Sequence, residues 1–268
     1  MNTTNENPGR HDQNPQLASR HTVWNRWLVA VVALVFAPAL LADEPTSAER
    51  EAQEIISRIR TTRPTENSSV EGVFKVIHGR RLHAVIPFRS EVVVTTTNWQ
   101  AIYQTLSSTN SLPLEKLVVT RRADAADEYQ FCGATNQPTV SARAAAFAGS
   151  EFFAGDLGLD FLNWPRQRLL EKKLRSSQSC YVIESTNPAT NALPYSRVVT
   201  WLDIDSVRDF GAPAIVHADA YDRRNRRLKE FGPKDFKKVD GQWQVEEMEM
   251  ENVQTGNRTK IEFHFERK

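Results

Sequence analysis

The residues that could carry acid–base or nucleophilic chemistry are few. His217 and Asp219 lie two positions apart, which places both on one face of a strand, and Ser185 or Ser196 could act as a nucleophile. Neither serine lies in the strand–turn–helix elbow that exposes a nucleophile in hydrolases. We therefore interpret His217 as a solvent-facing or locally paired strand residue, and we predict no catalytic residues.

The acidic residues near the C-terminus follow a strand pattern and not an active-site pattern. Glu247, Glu249 and Glu251 share the face opposite Met248 and Met250, which is typical of a solvated strand face.

A second acidic group resembles a calcium loop only superficially. Asp203, Asp205 and Asp209 lack the central glycine and closing glutamate of the usual motif. We predict no metal site and no cofactor.

The main basic concentration falls between two predicted strands. It consists of Arg223, Arg224, Arg226 and Arg227 in DRRNRRLKE. Two interpretations remain open: a solvated turn, or a docking patch for an acidic partner or anionic lipid headgroups.

Cys132 and Cys180 are the only cysteines. Their spacing matches no metal or redox motif. In an oxidising compartment they could form a disulfide across a long loop, or they could remain two separate thiols with Cys180 buried at a strand start.

Large apolar side chains are more numerous than one flat sheet face requires. Many of them fall in the Gly149–Leu170 segment, which keeps neither the two-residue period of a strand nor one helical stripe. The candidates for an apolar groove and its cover are Phe74, Val76, Trp99, Tyr103, Phe152, Phe153, Leu157, Leu159, Phe161, Leu162, Trp164 and Trp201. The segment could be ordinary core that covers the sheet, or a lid over a pocket with an apolar lining.

The elements that must position these residues are mainly strands. Thr46 and Glu49 form a capping-box pattern, and Ala52, Ile55, Ile56 and Ile59 follow at helical spacing. From Val70 onward, short β-rich runs with frequent turns predict a mainly β (α+β) fold with a curved antiparallel sheet. The apolar phase shifts between Val245 and Met248, which predicts a bulge at Glu246–Glu247.

The N-terminus has the pattern of a secretory signal. Arg20, His21 and Arg26 precede an uncharged run from Trp27 to Ala42, which is shorter than the about 20 apolar residues of a spanning helix. We predict a signal peptide with a polar extension over residues 1–42 and a single domain over residues 43–268, in preference to an uncleaved signal anchor.

Charge is balanced in the predicted mature chain. Residues 1–42 contain three arginines and two acidic residues, so 31 basic and 31 acidic residues remain. Without a basic excess there is no electrostatic reason to expect nucleic-acid binding.

The second half of the chain carries short motifs in a defined order. They are Gly149-Ser150-x-Phe152 with Asp156-Leu157, then Cys180-Tyr181-Val182, Trp201 and Asp203 in YSRVVTWLDID, Tyr221-Asp222, and Trp243, Met248, Asn252, Thr255 and Thr259 in DGQWQVEEMEMENVQTGNRT. From about Gly149 to Phe265 the chain resembles the exported outer-membrane lipoprotein-sorting proteins related to LolA.

This resemblance implies a half-open barrel of the LolA/LolB type with an N-terminal helix and a lid segment. It implies a non-catalytic, monomeric periplasmic carrier or chaperone that binds the acyl chains of lipoproteins, or other lipids, in a hydrophobic groove for delivery to the outer membrane. Inner- or outer-membrane transport proteins would be its partners. The alternative is a periplasmic sensor or protein-interaction module on the same fold.

The Gly149–Leu170 segment would be the lid in this family. A charged residue at Phe152 or Trp164 is then expected to abolish ligand binding while leaving the fold intact. An arginine helps to hold the lid in LolA, and its counterpart is not identified in this sequence.

Overall fold

The computed structural model describes residues 44–106, 114–123, 125–133, 138–140, 143–188, 193–239 and 241–265. The predicted signal peptide lies outside the described residues, so the division of the chain near residue 42 stays a prediction. Within the described part of the chain, no helix has the length and apolar character needed to cross a membrane.

Helix α1 (Ser47–Thr61) opens the domain, and its predicted capping box is confirmed. The Thr46 backbone N–H donates to Glu49 Oε2 at 2.7 Å, and the Glu49 N–H donates to Thr46 Oγ1 at 3.3 Å. The predicted apolar face is also confirmed, because Ala52, Ile55 and Ile56 are buried in the core. This face holds α1 against the sheet.

The strands and short helices that follow account for most of the described residues. The strands are β1 Ser68–His78, β2 Arg81–Val94, β3 Asn98–Thr105, β4 Lys116–Arg122, β5 Glu128–Cys132, β6 Pro138–Val140, β7 Arg166–Arg175, β8 Gln178–Thr186, β9 Arg197–Asp203, β10 Ala214–Tyr221, β11 Arg227–Val239, β12 Gln242–Asn252 and β13 Asn257–His264. The short helices are α2 Ala154–Leu157, a 3₁₀ helix Asp160–Asn163 and α3 Val207–Phe210.

The thirteen strands of the described residues form one antiparallel sheet. Their order is β6-β5-β4-β3-β2-β1-β13-β12-β11-β10-β9-β8-β7, so β6 and β7 are its two edges and do not pair with each other. Strand β13 returns to pair with β1, which joins the first and second halves of the chain. The sheet is curved, as the sequence predicted, and unclosed, as the family resemblance implied.

The core lies on the concave face of this sheet. Alternate residues of neighbouring strands point to it, including Phe74, Phe88, Leu117, Leu202 and Ile261. The predicted bulge is also present: Asp235 pairs with Glu247 and Phe236 with Val245, so Glu246 is the extra residue. Such bulges bend a strand and contribute to curvature.

One local prediction is wrong, because Arg166–Leu170 belongs to strand β7 and not to the irregular segment. Residues 143–150, which form turns and a bridge, are irregular like the residues that follow them. The irregular segment over the concave face therefore comprises residues 143–164, which we call the lid.

The cysteines do not form the disulfide that was one of the two alternatives. Both thiols are free, with Cys132 half-buried on β5 and Cys180 buried on β8. The sheet order explains this, since β5 and β8 are next to opposite edges of the sheet.

Candidate functional site: a lidded apolar groove

The lid places aromatic side chains directly on the concave face of the sheet. The ring centroid of Phe74 on β1 lies 5.4 Å from that of Phe147 and 6.4 Å from that of Phe152. Farther along, Phe161 lies 5.9 Å from Phe231 of β11. These separations are typical of packed aromatic pairs, so in this structure the lid closes the groove.

A tight turn at Ala148 and Gly149, which we call the first turn of the lid, lies near the start of this segment. Ala148 and Gly149 have φ values of 56° and 59°, and such left-handed conformations are unfavourable for residues other than glycine. The Ala148 N–H donates to Glu115 Oε2 at 2.6 Å, which offsets part of this cost. Glu115 therefore holds the first turn of the lid against the start of β4.

A buried carboxylate fixes the middle of the lid. Asp156 Oδ2 accepts hydrogen bonds from the Tyr195 hydroxyl at 3.0 Å and from the Phe153 N–H at 2.9 Å. Burial raises the pKa of the Asp156 carboxyl, while the positive charge of Lys229 opposes that shift. An acid at this depth is tolerated because it is hydrogen-bonded and lies near a cation.

Lys229 links the same part of the lid to β11. It is almost fully buried, donates to the Glu151 carbonyl, and has its ammonium 3.6 Å from the centroid of Phe153. Burial lowers the pKa of the ammonium, and the charges of Asp156 and Glu151 oppose this. Asp156 and Lys229 thus stabilise each other's charged forms inside an otherwise apolar interface.

Two arginines hold the end of the lid. Arg121 of β4 donates from Nη2 to the Gly158 carbonyl at 2.6 Å, and its Nε lies 3.4 Å from Asp127 Oδ2. Arg143 Nε donates to Asp160 Oδ1 at 2.8 Å, and the other oxygen of Asp160 accepts from Trp164 Nε1 at 3.0 Å. Charge-assisted bonds of this kind are among the stronger ones in proteins.

Gly158 is required at its position for space. A Cβ atom there would lie 2.3 Å from the Tyr129 hydroxyl oxygen. The lid backbone therefore passes directly over a ring of β5, which only glycine permits.

A cavity of about 250 Å³ remains between the first turn of the lid and strands β1 to β3. Its lining is mostly apolar and consists of Val76, His83, Ala84, Ile86, Thr105, Leu106, Leu114, Glu115, Ala148 and Gly149. Pockets for small-molecule ligands usually measure about 300–1,000 Å³. The cavity is therefore large enough for part of an apolar chain and too small for a whole one.

Glu115 is the acidic residue in the lining of this cavity. Burial raises the pKa of its carboxyl, and the hydrogen bond from Ala148 partly offsets the shift. The carboxylate thus lies where it both fixes the lid and faces any occupant of the cavity.

The structure brings together most of the residues that the sequence proposed for the groove. Phe74, Phe152, Phe161, Leu162 and Trp164 are in the buried core. Trp99, Tyr103, Phe153, Leu157 and Leu159 are half-buried against it. Val76 is buried and lines the cavity.

Trp201 does not lie with this group, so its assignment to the groove is wrong. Val198 and Leu202 of β9 point into the core, which places Trp201 on the other face of the sheet. There its ring packs on His217 at 5.0 Å and on the Arg175 guanidinium at 4.9 Å. A single tryptophan in a strand does not reveal which face it occupies.

The expectation for charged substitutions at Phe152 and Trp164 also requires correction. Their exposed fractions are 1% and 6%. An unpaired charge at such a site is strongly unfavourable, so these substitutions would disrupt the fold together with any binding.

The sequence interpretation missed the polar groups that hold the lid. Asp156 and Asp160 were a usable signal, because two acids four residues apart inside an apolar segment need partners. Asp160 pairs with Arg143, whereas the partners of Asp156, Tyr195 and Lys229, come from a distant loop and strand, and nothing in their local sequence identifies them.

The predicted arginine patch is a turn with internal ion pairs. Arg226 lies 2.8 Å from Asp222, and Arg227 lies 3.0 Å from Glu230 and 3.5 Å from Asp219. Hydrogen bonds from the Arg226 and Arg224 backbone and the Arg226 side chain lower the pKa of Asp222 to about 2. Local acids therefore neutralise part of this turn, and its role as a partner or headgroup patch stays a prediction.

Of the two structural interpretations of His217, solvent-facing or locally paired, the structure shows the second. Its Nε2 lies 3.1 Å from Asp219 Oδ1. With Glu230 these residues place three possible metal-ligand atoms within 4.8 Å of one another. The Arg227 guanidinium already supplies positive charge to both carboxylates, which favours an ion-pair cluster.

A comparison with protein families identifies where the chain belongs. A family model described as "uncharacterized protein" matches residues 115–266, more than half of the chain. The chain belongs to this family. No curated protein sequence matches it.

Solved structures of three proteins share the fold of this family member. A DUF1329 family protein from Desulfovibrio piger is 20% identical, with a TM-score of 0.66 over 82% of this chain and 92% of that chain. A putative outer membrane lipoprotein-sorting protein domain from Vibrio parahaemolyticus is 19% identical, with a TM-score of 0.63 over 81% and 92%. A LolA superfamily protein from Nitrosomonas europaea is 17% identical, with a TM-score of 0.54 over 82% and 93%.

These likenesses confirm the resemblance at the level of the fold. The chain has the LolA-like fold, which it shares with these three structures.

Proposed function

We propose that this protein is a non-catalytic periplasmic carrier that binds acyl chains of lipoproteins, or other lipids, in the groove beneath the lid and delivers them to the outer membrane. The observation that carries the proposal is that the lid covers the apolar concave face of the sheet. A separate segment, residues 143–164, fills this apolar face with Phe147, Phe152 and Phe161, and a cavity remains at its first turn.

The energetics favour an apolar chain as the ligand. Each buried methylene contributes about 0.8 kcal/mol, so a long chain could replace the contacts that the lid makes with the sheet. The cavity beside Ala148 would receive the chain first, and movement of the lid would expose the rest of the groove. This order follows from the cavity volume of about 250 Å³, which suits only part of a chain.

The fold likeness supports the class of carrier, since one similar structure is described as a putative lipoprotein-sorting domain. Export through the predicted signal peptide would place the protein in the periplasm as a monomer, where membrane transport proteins would load and unload it. The sensor or interaction module is a weaker second candidate, because its proposed arginine patch is partly neutralised by Asp219, Asp222 and Glu230.

Two neighbouring residues of β2 provide a matched test. Ala84 lines the cavity, whereas the next residue, Val85, is 44% exposed outside it. With a fluorescent long-chain acyl probe, Ala84→Trp should fill the cavity and weaken binding by about tenfold or more. Val85→Trp should bind as the native protein does. Equal binding by both variants, or no binding by the native protein, would overturn the proposal.

The native cargo can be tested independently. The protein would be purified from the periplasm without detergent, analysed by native mass spectrometry, and its released lipids identified. A stoichiometric acylated adduct supports a carrier. A ligand-free mass together with no uptake of the acyl probe contradicts it.

A further inference from the structure

Three connections at one end of the sheet expose large apolar side chains. In an antiparallel sheet, alternate connections lie at the same end, which groups the β7–β8 turn, the β9–β10 connection with α3, and the β11–β12 turn. Their exposed side chains, which we call the apolar tips, are Leu174, Phe210, Phe236 and Trp243, with exposed fractions of 69%, 44%, 46% and 50%.

The β11–β12 hairpin extends beyond its neighbours at this end. Pairing of β12 with β13 stops at Glu247–Glu262, and the described pairing of β11 with β10 begins at Phe231. Phe236 pairs with Val245 and Lys238 with Trp243, which places these four side chains on one face. The hairpin therefore presents an aromatic pair that no neighbouring strand flanks.

Basic side chains accompany each apolar tip. Lys173 precedes Leu174, Arg208 is two residues before Phe210, and Lys237 and Lys238 lie between Phe236 and Trp243. The contacts of Lys237 with Glu246 at 3.4 Å and of Lys173 with Glu171 at 3.5 Å are surface ion pairs. Such pairs contribute little free energy, so each lysine can exchange its partner for a phosphate.

We infer that the apolar tips and their basic neighbours dock this protein on the surface of a bilayer that contains anionic phospholipid. Neighbouring strands lie about 4.8 Å apart, so successive connections are about 10 Å apart along the sheet and the outer two about 20 Å apart. A lipid surface can take up each side chain independently, whereas a protein partner would need a separate pocket for each. Tryptophan, phenylalanine and lysine together are also typical of the membrane–water interface.

This docking is distinct from cargo binding, because none of the apolar tips lines the cavity. The other end of the strands carries the Arg223–Arg227 turn and exposed Leu82. These provide matched controls of similar chemistry at the wrong end.

Sedimentation with vesicles of phosphatidylethanolamine and phosphatidylglycerol tests the inference. The pair Phe236→Ser and Trp243→Ser should reduce binding about tenfold, because interfacial binding scales with the apolar area inserted. The control pair Leu82→Ser and Val85→Ser should bind as the native protein does. Vesicles of phosphatidylcholine alone should bind the native protein more weakly.

The basic residues are tested in the same assay. Lys173→Gln, Lys237→Gln and Lys238→Gln together should weaken binding, whereas Arg223→Gln with Arg224→Gln should not. If binding depends on the arginine turn or on Leu82, or if the native protein does not bind these vesicles, the inference is wrong.

A conservative variant separates docking from misfolding. Trp243→Phe keeps an aromatic side chain, so it should bind the vesicles normally. It should nevertheless lose part of the fluorescence quenching that brominated lipids cause in the native protein. Unchanged quenching would contradict insertion of Trp243. All these variants should retain acyl-probe uptake in solution, so failure of docking is distinguishable from failure of the carrier function.

Discussion

The Tyr195 hydroxyl donates a 3.0 Å hydrogen bond to Asp156 Oδ2, and both side chains are buried. This bond joins the centre of the lid to the segment that leads into β9. This polar pair favours one position of the lid, because displacement of the lid would leave the buried Asp156 carboxylate without one of its hydrogen-bond donors.

Tyr195→Phe tests this bond. Loss of the hydroxyl should lower the free energy of unfolding by about 1–3 kcal/mol, since a buried carboxylate loses one of its donors. Urea unfolding followed by circular dichroism measures the change. Tyr221→Phe is the control, because Tyr221 is half-buried and contacts Arg197 through its ring. A loss as large in the control would show that the effect is not specific to Asp156.

Gly158→Ala tests the close passage of the lid over Tyr129. The added Cβ would lie 2.3 Å from the tyrosine hydroxyl, and the repacking should cost about 1–3 kcal/mol. In a Tyr129→Leu background the same change should cost less, because the clashing atoms are gone.

The matched control for this substitution is Gly133→Ala. There the new Cβ would make an ordinary 3.5 Å contact with Phe131. The four variants to compare by thermal unfolding are Gly158→Ala, Tyr129→Leu, the double variant of the two, and Gly133→Ala. Equal losses of stability from Gly158→Ala in the native and Tyr129→Leu backgrounds would contradict the proposed clash.

Arg121→Ala should release the end of the lid without unfolding the sheet. Because a hydrogen bond from a charged donor contributes about 1.5–3 kcal/mol, backbone amides of residues 155–163 should exchange roughly tenfold to a hundredfold faster. Hydrogen-exchange mass spectrometry measures this locally. Arg122→Ala is the control, since Arg122 pairs with Glu128 at the surface. Equal exchange in the two variants would remove Arg121 from the description of the lid.

Glu115→Gln should change the pH dependence of stability. Burial raises the pKa of the folded-state carboxyl above its ordinary value of 4.5. A raised carboxyl pKa favours folding most below the unfolded-state pKa, and this contribution is lost as pH rises through the folded-state pKa. The stability of Glu115→Gln relative to the native protein should therefore rise above pH 4.5 and then level off. Urea unfolding across this range measures the trend, and a flat or falling difference would contradict it.

Much of the fold could be predicted from local patterns in the sequence. The capping box at Thr46 and Glu49, the apolar face of α1 and the bulge at Glu246 depend only on neighbouring residues, and all three are confirmed. The lid was located by its mixture of glycines and large apolar side chains, although its end was placed five residues into β7.

Long-range relationships could not be predicted in the same way. The face occupied by Trp201 depends on the pairing of β9 with β8 and β10. The cavity depends on Ala84, Ile86 and Leu106, which are ordinary strand or loop residues in the sequence and gain significance only when the lid lies over them. These residues form the cavity because the lid leaves space beside them, and no local sequence pattern indicates such a space.

The two edges of the sheet have a mechanical consequence. Strands β6 and β7 do not pair with each other, so no backbone ladder joins the two edges of the described sheet. The sheet can widen around a larger ligand while every ladder of backbone hydrogen bonds stays intact. Such widening is opposed by the packing of the lid and by its polar contacts with β4 and β11, and a ligand that supplies its own packing would remove part of that resistance.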